Sequence, residues 1–173
     1  HAMLIDCSTL EIVHSPIPEG CKIVVQFIGH RTLQGSEYSY RVQQCTTAES
    51  IIGPLRSASI DMVELIEDVT ISKRARHVIT ENQRVREFAQ ALASHDLQYA
   101  GNLMNEGHRS LAHDFDTSTP TMNKAVDEIK KLPGVYGARM TGGGFGGCVV
   151  ALCSRDADVP GWMVSAVGAA RLT

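Results

Sequence analysis

The sequence predicts an α+β domain, and three observations carry that reading. A Val/Ile/Phe run from Lys22 to Ile28 has the pattern of a buried strand, and the long middle of the chain repeats apolar residues at helical spacing. The stretch Gly134 to Leu152 then returns to strand pattern: Val135 to Met140 and Cys148 to Cys153 read as strands on either side of a loop almost without side chains. The 173 residues, 43% hydrophobic and 20% charged, suffice for one domain with a core of its own. A formal net charge of −3 gives no electrostatic footprint for nucleic acid or an anionic membrane. No transmembrane run appears, and the first residues, polar Asp6 included, do not make a signal peptide. Cys7, Cys21, Cys45, Cys148 and Cys153 are odd in number and lack Cys-x-x-Cys spacing, so they read as small core residues in a reducing cytoplasm.

In chain order, His1 to Cys7 and Thr9 to His14 read as two extended segments joined by a turn at Ser8 and ended by Pro16 and Pro18. A chain that starts on a strand reads as cut from something longer. After the Lys22 to Ile28 strand and a loop over Gly29 to Gly35, Ser36 is a good N-cap with Glu37 in the first turn, opening a helix that Gly53-Pro54 stops after about Ile52. Tyr38 lies in its opening turn and reads, on the sequence alone, as an aromatic packing on the preceding loop. Ser59 to Val69 places Ile60, Val63 and Ile66 or Leu65 at helical spacing, and Ser72 is expected to open a longer helix to about Ala93 with Val78, Val85, Phe88 and Leu92 inward. Asp96 caps the next helix, with Leu97, Ala100, Leu103, Met104 and Leu111 as its stripe. Thr119-Pro120 starts another, with Met122, Val126 and Ile129 inward and Gly134 beyond its end. Asp158 to Thr173 reads as one short helix with Trp162, Val164 and Val167 facing in. No repeat or linker divides the chain.

Seven of the fifteen glycines fall between Gly134 and Leu152, five of them within Gly142 to Gly147. A hairpin closes with two to five ordinary turn residues, so this excess points to positive φ and to close approach by something, for which phosphate is the usual guest. No Gly-Lys-Ser/Thr follows and the next element is a strand, which excludes a P-loop and a dinucleotide fingerprint. Spacing alone leaves the ligand open. The seven histidines show no metal-ligand spacing and read as structural or solvated, with His77 orienting backbone or carboxylates. Lys73-Arg74-Ala-Arg76 reads as a solvated helix start, and the pairs Asp114/Asp116 and Asp127/Glu128 as surface carboxylates. No nucleophile elbow, reactive cysteine constellation or convincing general base stands out.

The run Gly134-Val-Tyr-Gly-Ala-Arg-Met-Thr-Gly-Gly-Gly-Phe-Gly-Gly-Cys148 closely resembles the third signature motif of galactokinases, members of the GHMP small-molecule kinase superfamily. Further stretches agree in order: His1 to Cys7, Arg31-Thr-Leu-Gln-Gly-Ser-Glu-Tyr38, Arg74 to Val85, and His108-Arg-Ser-Leu111 with Asp114-Phe-Asp116; Arg41 and Cys45 match as well. The resemblance covers residues 1 to about 153, in the family the carboxyl-terminal half. It implies a GHMP kinase C-terminal domain with a ferredoxin-like antiparallel sheet and helices packed on one face, residues 21–173 being the domain proper and 1–20 strands adjoining the missing amino-terminal domain.

The resemblance further implies transfer of the ATP γ-phosphoryl group to the anomeric hydroxyl of galactose in a cleft between two halves. Tyr38 would contact the sugar, and Thr141, Gly142, Gly143, Gly144, Phe145, Gly146 and Gly147 would form the glycine-rich active-site loop. The catalytic base, the Mg²⁺ ligands and the main ATP-phosphate loop belong to the missing half, so this chain alone is expected to be inactive. After Ser154 the resemblance fades, so an edge strand is expected to be missing, with self-association through the uncovered sheet edge or the interface meant for the other half. Gln26 to Gly29 also departs from the family pattern near the sugar side. A kinase of a related sugar such as N-acetylgalactosamine or arabinose, a non-catalytic sugar-sensing relative, and a plain interaction domain remain as alternatives.

Overall fold

The computed structural model describes residues 2–30 and 37–164. Its first elements are the short antiparallel strands β1 (Ala2–Ile5) and β2 (Ile12–Ser15), paired from Ala2 with Ser15 to Ile5 with Ile12. The Asp6 carboxylate accepts from the amides of Ser8 and Thr9 and shapes the turn between them. Arg56 ion-pairs with the same carboxylate, and this bond with those from Ser8 and Thr9 holds Asp6 well below the usual carboxylate range. Met3, Ile5, Leu10, Ile12 and Val13 of this hairpin are all exposed.

The main sheet is antiparallel, in the order β4-β5-β3-β6. It is built from β3 (Cys21–Gly29), β4 (Val135–Thr141), β5 (Gly147–Ser154) and β6 (Trp162–Val164). Strand β3 pairs with β5 from Cys21 opposite Ser154 to Phe27 opposite Cys148, so the two central strands come from opposite ends of the chain. The helix expected over residues 158–173 is not what forms at Trp162 to Val164. These residues pair with Ile23 to Val25 as β6, and all three are exposed. Three residues are too few for periodicity to separate helix from strand, and pairing with a distant strand decides. The edge beside β3, expected to be bare, therefore carries a short strand; Val167 lies outside the described residues.

The two sheet faces differ. One carries Val24, Ala138, Met140, Val149, Ala151 and Cys153, covered by Met122, Val126 and Ile129 of α4 (Pro120–Ile129). Thr119 caps that helix by accepting from the Met122 amide, with Pro120 inside the first turn as expected. The other face packs Cys21 and Leu152 against Ala91 and Leu92 of α2 (Val69–Ala93) and Ala100 and Met104 of α3 (Leu97–His113). It leaves Phe27, Trp162 and Val164 exposed and borders a half-open pocket of about 220 Å³ among Ile23, Val85, Phe88, Met104, Val150 and two arginines.

Helix α3 also runs along the outer edge of β4. Asn105 Oδ1 accepts from the Ala138 amide at 3.1 Å and His108 Nδ1 from the Met140 amide at 3.3 Å. That contact requires glycine on both sides: a Cβ on Gly101 would stand 2.2 Å from the Tyr136 carbonyl carbon, and one on Gly137 2.0 Å from the Gly101 oxygen. The helices thus wrap around the β4 edge, beyond the single packed face that was expected.

A second small core, apart from the sheet, joins Ala48 and Ile52 of α1 (Glu37–Ile52) to Leu55, Val63, Ile66 and Ala75. Ser36, the expected cap of α1, lies outside the described residues; Gly53, at φ +79°, ends the helix. Residues Ile60–Leu65 form a 3₁₀ helix with Val63 buried and Ile60 and Leu65 exposed. Helix α2 starts four residues earlier than a cap at Ser72 would place it. Asp68 and not Ser72 caps it, its carboxylate accepting from the amides of Thr70 and Ile71. Val85, expected inward, is exposed beside the pocket. Asp96 caps α3 as expected, accepting from the Tyr99 amide at 2.9 Å.

Candidate functional site

The loop between β4 and β5 takes the conformation that its glycines permit. Gly142, Gly144, Gly146 and Gly147 all have φ between +83° and +128°, and Phe145 joins them at +61°, a strained choice for an aromatic residue. Two contacts hold Phe145 there. Its amide donates to the Thr117 carbonyl at 2.7 Å, and the Arg41 guanidinium lies over its ring, 6.0 Å from the centroid.

The close approach inferred from glycine excess resolves into two cases. A Cβ on Gly144 would meet the Thr117 oxygen at 2.5 Å and its Cβ at 2.6 Å, so here the close neighbour is the chain itself. Above Gly142 nothing among the described residues lies within 4 Å. Thr141 and Gly142 are exposed, Gly143, Phe145, Gly146 and Gly147 half-buried, and Gly144 buried. The outer half of the loop is the part open to a ligand.

Thr117 belongs to the connection between α3 and α4, and two arginines fix that connection. Arg41 Nε donates to the Phe115 carbonyl at 2.7 Å, and its Nη2 donates to the Asp116 carbonyl at 2.7 Å and carboxylate at 2.9 Å. Arg74 donates to the Asp114 carbonyl and, at 3.3 Å, to the same Asp116 carboxylate. Gln44 Oε1 accepts from both arginines. Burial pulls Arg74 below the ordinary guanidinium value and neighbouring Arg41 adds to this, while Asp116 opposes. The expectation of a solvated charge run therefore fails at Arg74, whose side chain is only 7% exposed. Asp116, itself at φ +55°, is an ion-pair partner instead of a merely solvated carboxylate.

Behind this clamp, His77 stacks on Phe115 with ring centroids 4.5 Å apart, and its Nδ1 stands 2.9 Å from Ser110 Oγ. Ser110 gives its only hydroxyl proton to Asp114 Oδ2, so His77 Nδ1–H is the donor to Ser110. Burial lowers the His77 pKa to about 4, Arg84 and Arg139 adding to the effect and Glu81 and Asp114 opposing it. A neutral ring in a dry setting holds Asp114 through Ser110 and does not titrate near neutrality. Nearby, Glu81 accepts from Arg84 at 2.8 Å and from Arg139. Burial alone would raise the Glu81 carboxyl, but Arg139 and Arg84 outweigh it and hold it below its ordinary value.

Tyr38 is 56% exposed in the first turn of α1, one helical turn before Arg41. Residues at i and i+3 share a helix face, so Tyr38 stands on the side of α1 whose guanidinium meets the glycine loop. Among the described residues, no three His, Cys, Asp or Glu side chains come together to hold a metal ion. No helix of the described residues is long and apolar enough to cross a membrane.

Residues 88–160 match the family model described as GHMP kinases C terminal. Over those residues the chain is similar to the C-terminal domain of GHMP kinases. Across most of its length the likeness is to galactokinases. It is 41% identical over 167 residues to a galactokinase of Actinobacillus succinogenes, an alignment covering 90% of this chain and 43% of that protein. Its fold matches a crystal structure of Lactococcus lactis galactokinase complexed with galactose at a TM-score of 0.83 and 32% identity, over 89% of this chain and 43% of that one. A crystal structure of L. major mevalonate kinase in complex with R-mevalonate matches at 0.59 with 20% identity, over 84% and 37%, a likeness of fold alone. The chain spans less than half the length of the galactokinases it matches.

Proposed function

We propose that this chain forms one wall of a galactokinase active site, in a protein that transfers the γ-phosphoryl group of ATP to the anomeric hydroxyl of galactose. The observation that carries this reading is the likeness to a galactokinase complexed with galactose over nearly nine-tenths of the chain. Tyr38 then holds a sugar hydroxyl with its phenol, and the loop from Thr141 to Gly147 lines the cleft beside sugar and nucleotide with backbone and shape. In the transfer the anomeric oxygen bonds to the γ-phosphorus, ADP leaves, and the hydroxyl proton goes to a base outside this chain. The Mg²⁺ that accompanies ATP in such a reaction would be held mostly by the amino-terminal half together with the nucleotide phosphates. The exposed apolar hairpin at residues 2–15 suits a surface that adjoins the amino-terminal half. A reducing, cytoplasmic setting suits five cysteines that are all free thiols.

The test is galactose-dependent ADP release with ATP and Mg²⁺, for this chain alone and for its mixture with a separately made galactokinase amino-terminal half. Activity is expected only in the mixture, with Tyr38→Phe raising the galactose KM by about three- to tenfold, as losing one sugar hydrogen bond implies. Turnover of other sugars with galactose ignored would move the assignment to a related sugar kinase. Silence in both arms would overturn the catalytic reading.

A further inference from the structure

The glycine loop has no regular structure to hold its shape, and Phe145 sits within it in a left-handed conformation unfavourable for an aromatic residue. Beside the Thr117 carbonyl, its support includes one side chain on another element. Arg41 of α1 reaches the Phe115 carbonyl, the Asp116 carbonyl and carboxylate, and the face of Phe145. We infer that Arg41 is a positioning residue that sets the glycine loop relative to the turn of α1 bearing Tyr38, acting through the 115–117 segment and the Phe145 ring.

The chemistry requires arginine. Nε and Nη2 satisfy two successive carbonyls and a carboxylate at once while the planar cation faces an aromatic ring, a fork that a lysine ammonium cannot reproduce. Two guanidiniums lie side by side here, an arrangement stable only because Asp116 and Gln44 accept from both. Arg74 holds Asp114 and Asp116 from α2, whereas the Phe145 ring is met by Arg41, so Arg74 serves as the comparison residue. The segment Arg41 holds passes its position on directly, because the Thr117 carbonyl takes the Phe145 amide and Gly144 rests on Thr117.

The structural half of this inference stands by itself; its catalytic consequence rests on the proposed sugar-kinase reading. Hydrogen exchange tests the first on the whole chain without any activity. Arg41→Lys is expected to speed exchange over residues 141–147 by about tenfold, leaving α4 unchanged, with a smaller effect from Arg74→Lys. Asp116→Asn, which removes only the carboxylate partner, is expected to act in the same direction more weakly, and it covers the case in which Arg41→Lys folds poorly. Unchanged exchange at 141–147 in both folded variants overturns the inference.

Kinetics in the mixture with the amino-terminal half test the consequence. Arg41→Lys should lower kcat by about 10- to 100-fold with little change in the ATP KM, and adding Phe145→Leu should lower it little further, since both act on one contact. Wild-type turnover with Arg41→Lys at the same rate overturns the catalytic role while leaving the galactokinase reading intact. Altered exchange beside a wild-type mixture that ignores galactose sinks that reading and leaves the loop-holding role standing.

Discussion

Gly137 and Gly142 lie on the same strand and loop, yet they are glycine for opposite reasons. At Gly137 the chain has no room: the Gly101 oxygen stands where a Cβ would be, and α3 can lie along β4 only because both residues lack side chains. At Gly142 there is room, with nothing among the described residues within 4 Å, and the requirement is conformational, a φ of +83°. Gly144 combines the two, at φ +84° against Thr117. Glycines that pack the fold together are therefore separable from a glycine that keeps the loop open, although composition counts them alike.

The sharpest way to break this comparison is at the packed pair. Gly137→Ala or Gly101→Ala should destabilise the chain by about 3 kcal/mol or more, read by urea unfolding, because backbone meets the new methyl group and cannot rotate away. A loss below ~1 kcal/mol would mean that α3 does not lie against β4 as described. Next come the loop positions. Gly144→Ala should lower both stability, by about 1–3 kcal/mol, and turnover in the reconstituted enzyme. Gly142→Ala should lower stability by only about 1 kcal/mol while still depressing turnover, since among the described residues strain is its only penalty. Turnover equal to wild type in Gly142→Ala would show that the outer loop does not approach the substrates.

A smaller effect should appear in the pH dependence of stability. His77 and His108 are buried, and burial lowers each to about 4 from an ordinary value of 6.5. Between those values the unfolded chain binds protons that the folded chain refuses, so stability is full above pH 6.5 and declines as pH falls through that window towards 4. Each histidine contributes a slope of about 1.4 kcal/mol per pH unit within it. Replacing His77 with Gln should flatten the unfolding free energy against pH by up to that amount; an unchanged slope would mean that His77 titrates normally. Least of all, light scattering at rising concentration should report self-association through the exposed hairpin and the open sheet face at Phe27 and Trp162. A strictly monomeric chain would mean that these patches are too small to pair.

Much of the fold was legible residue by residue. The caps at Asp96 and Thr119-Pro120, the stripes of α3 and α4, the strand from Lys22 and the two strands around the glycine loop stand where local pattern placed them. The start of α2 was missed because Asp68 and Ser72 are both competent caps, and only Asp68 has two amides within reach. Within the candidate site the glycine loop and Tyr38 were visible as a motif. Arg41 was noticed as a matched position without a role, and Arg74 was misread as solvated, because charge in a sequence carries no record of which carbonyls it will meet some forty or seventy residues away.

Local pattern is enough for the amphipathic helices, their caps, the strands and the glycine-rich loop, because each depends on residues within a turn or two of one another. Packing between distant segments is what brings residues 162–164 into the sheet as β6, lets α3 seal the β4 edge through Gly101 and Gly137, and lets Arg41 tie α1 to the loop through Asp116 and Phe145. These are contacts between distant parts of the chain, set by which surfaces can approach and which buried polar groups must be paired once they have.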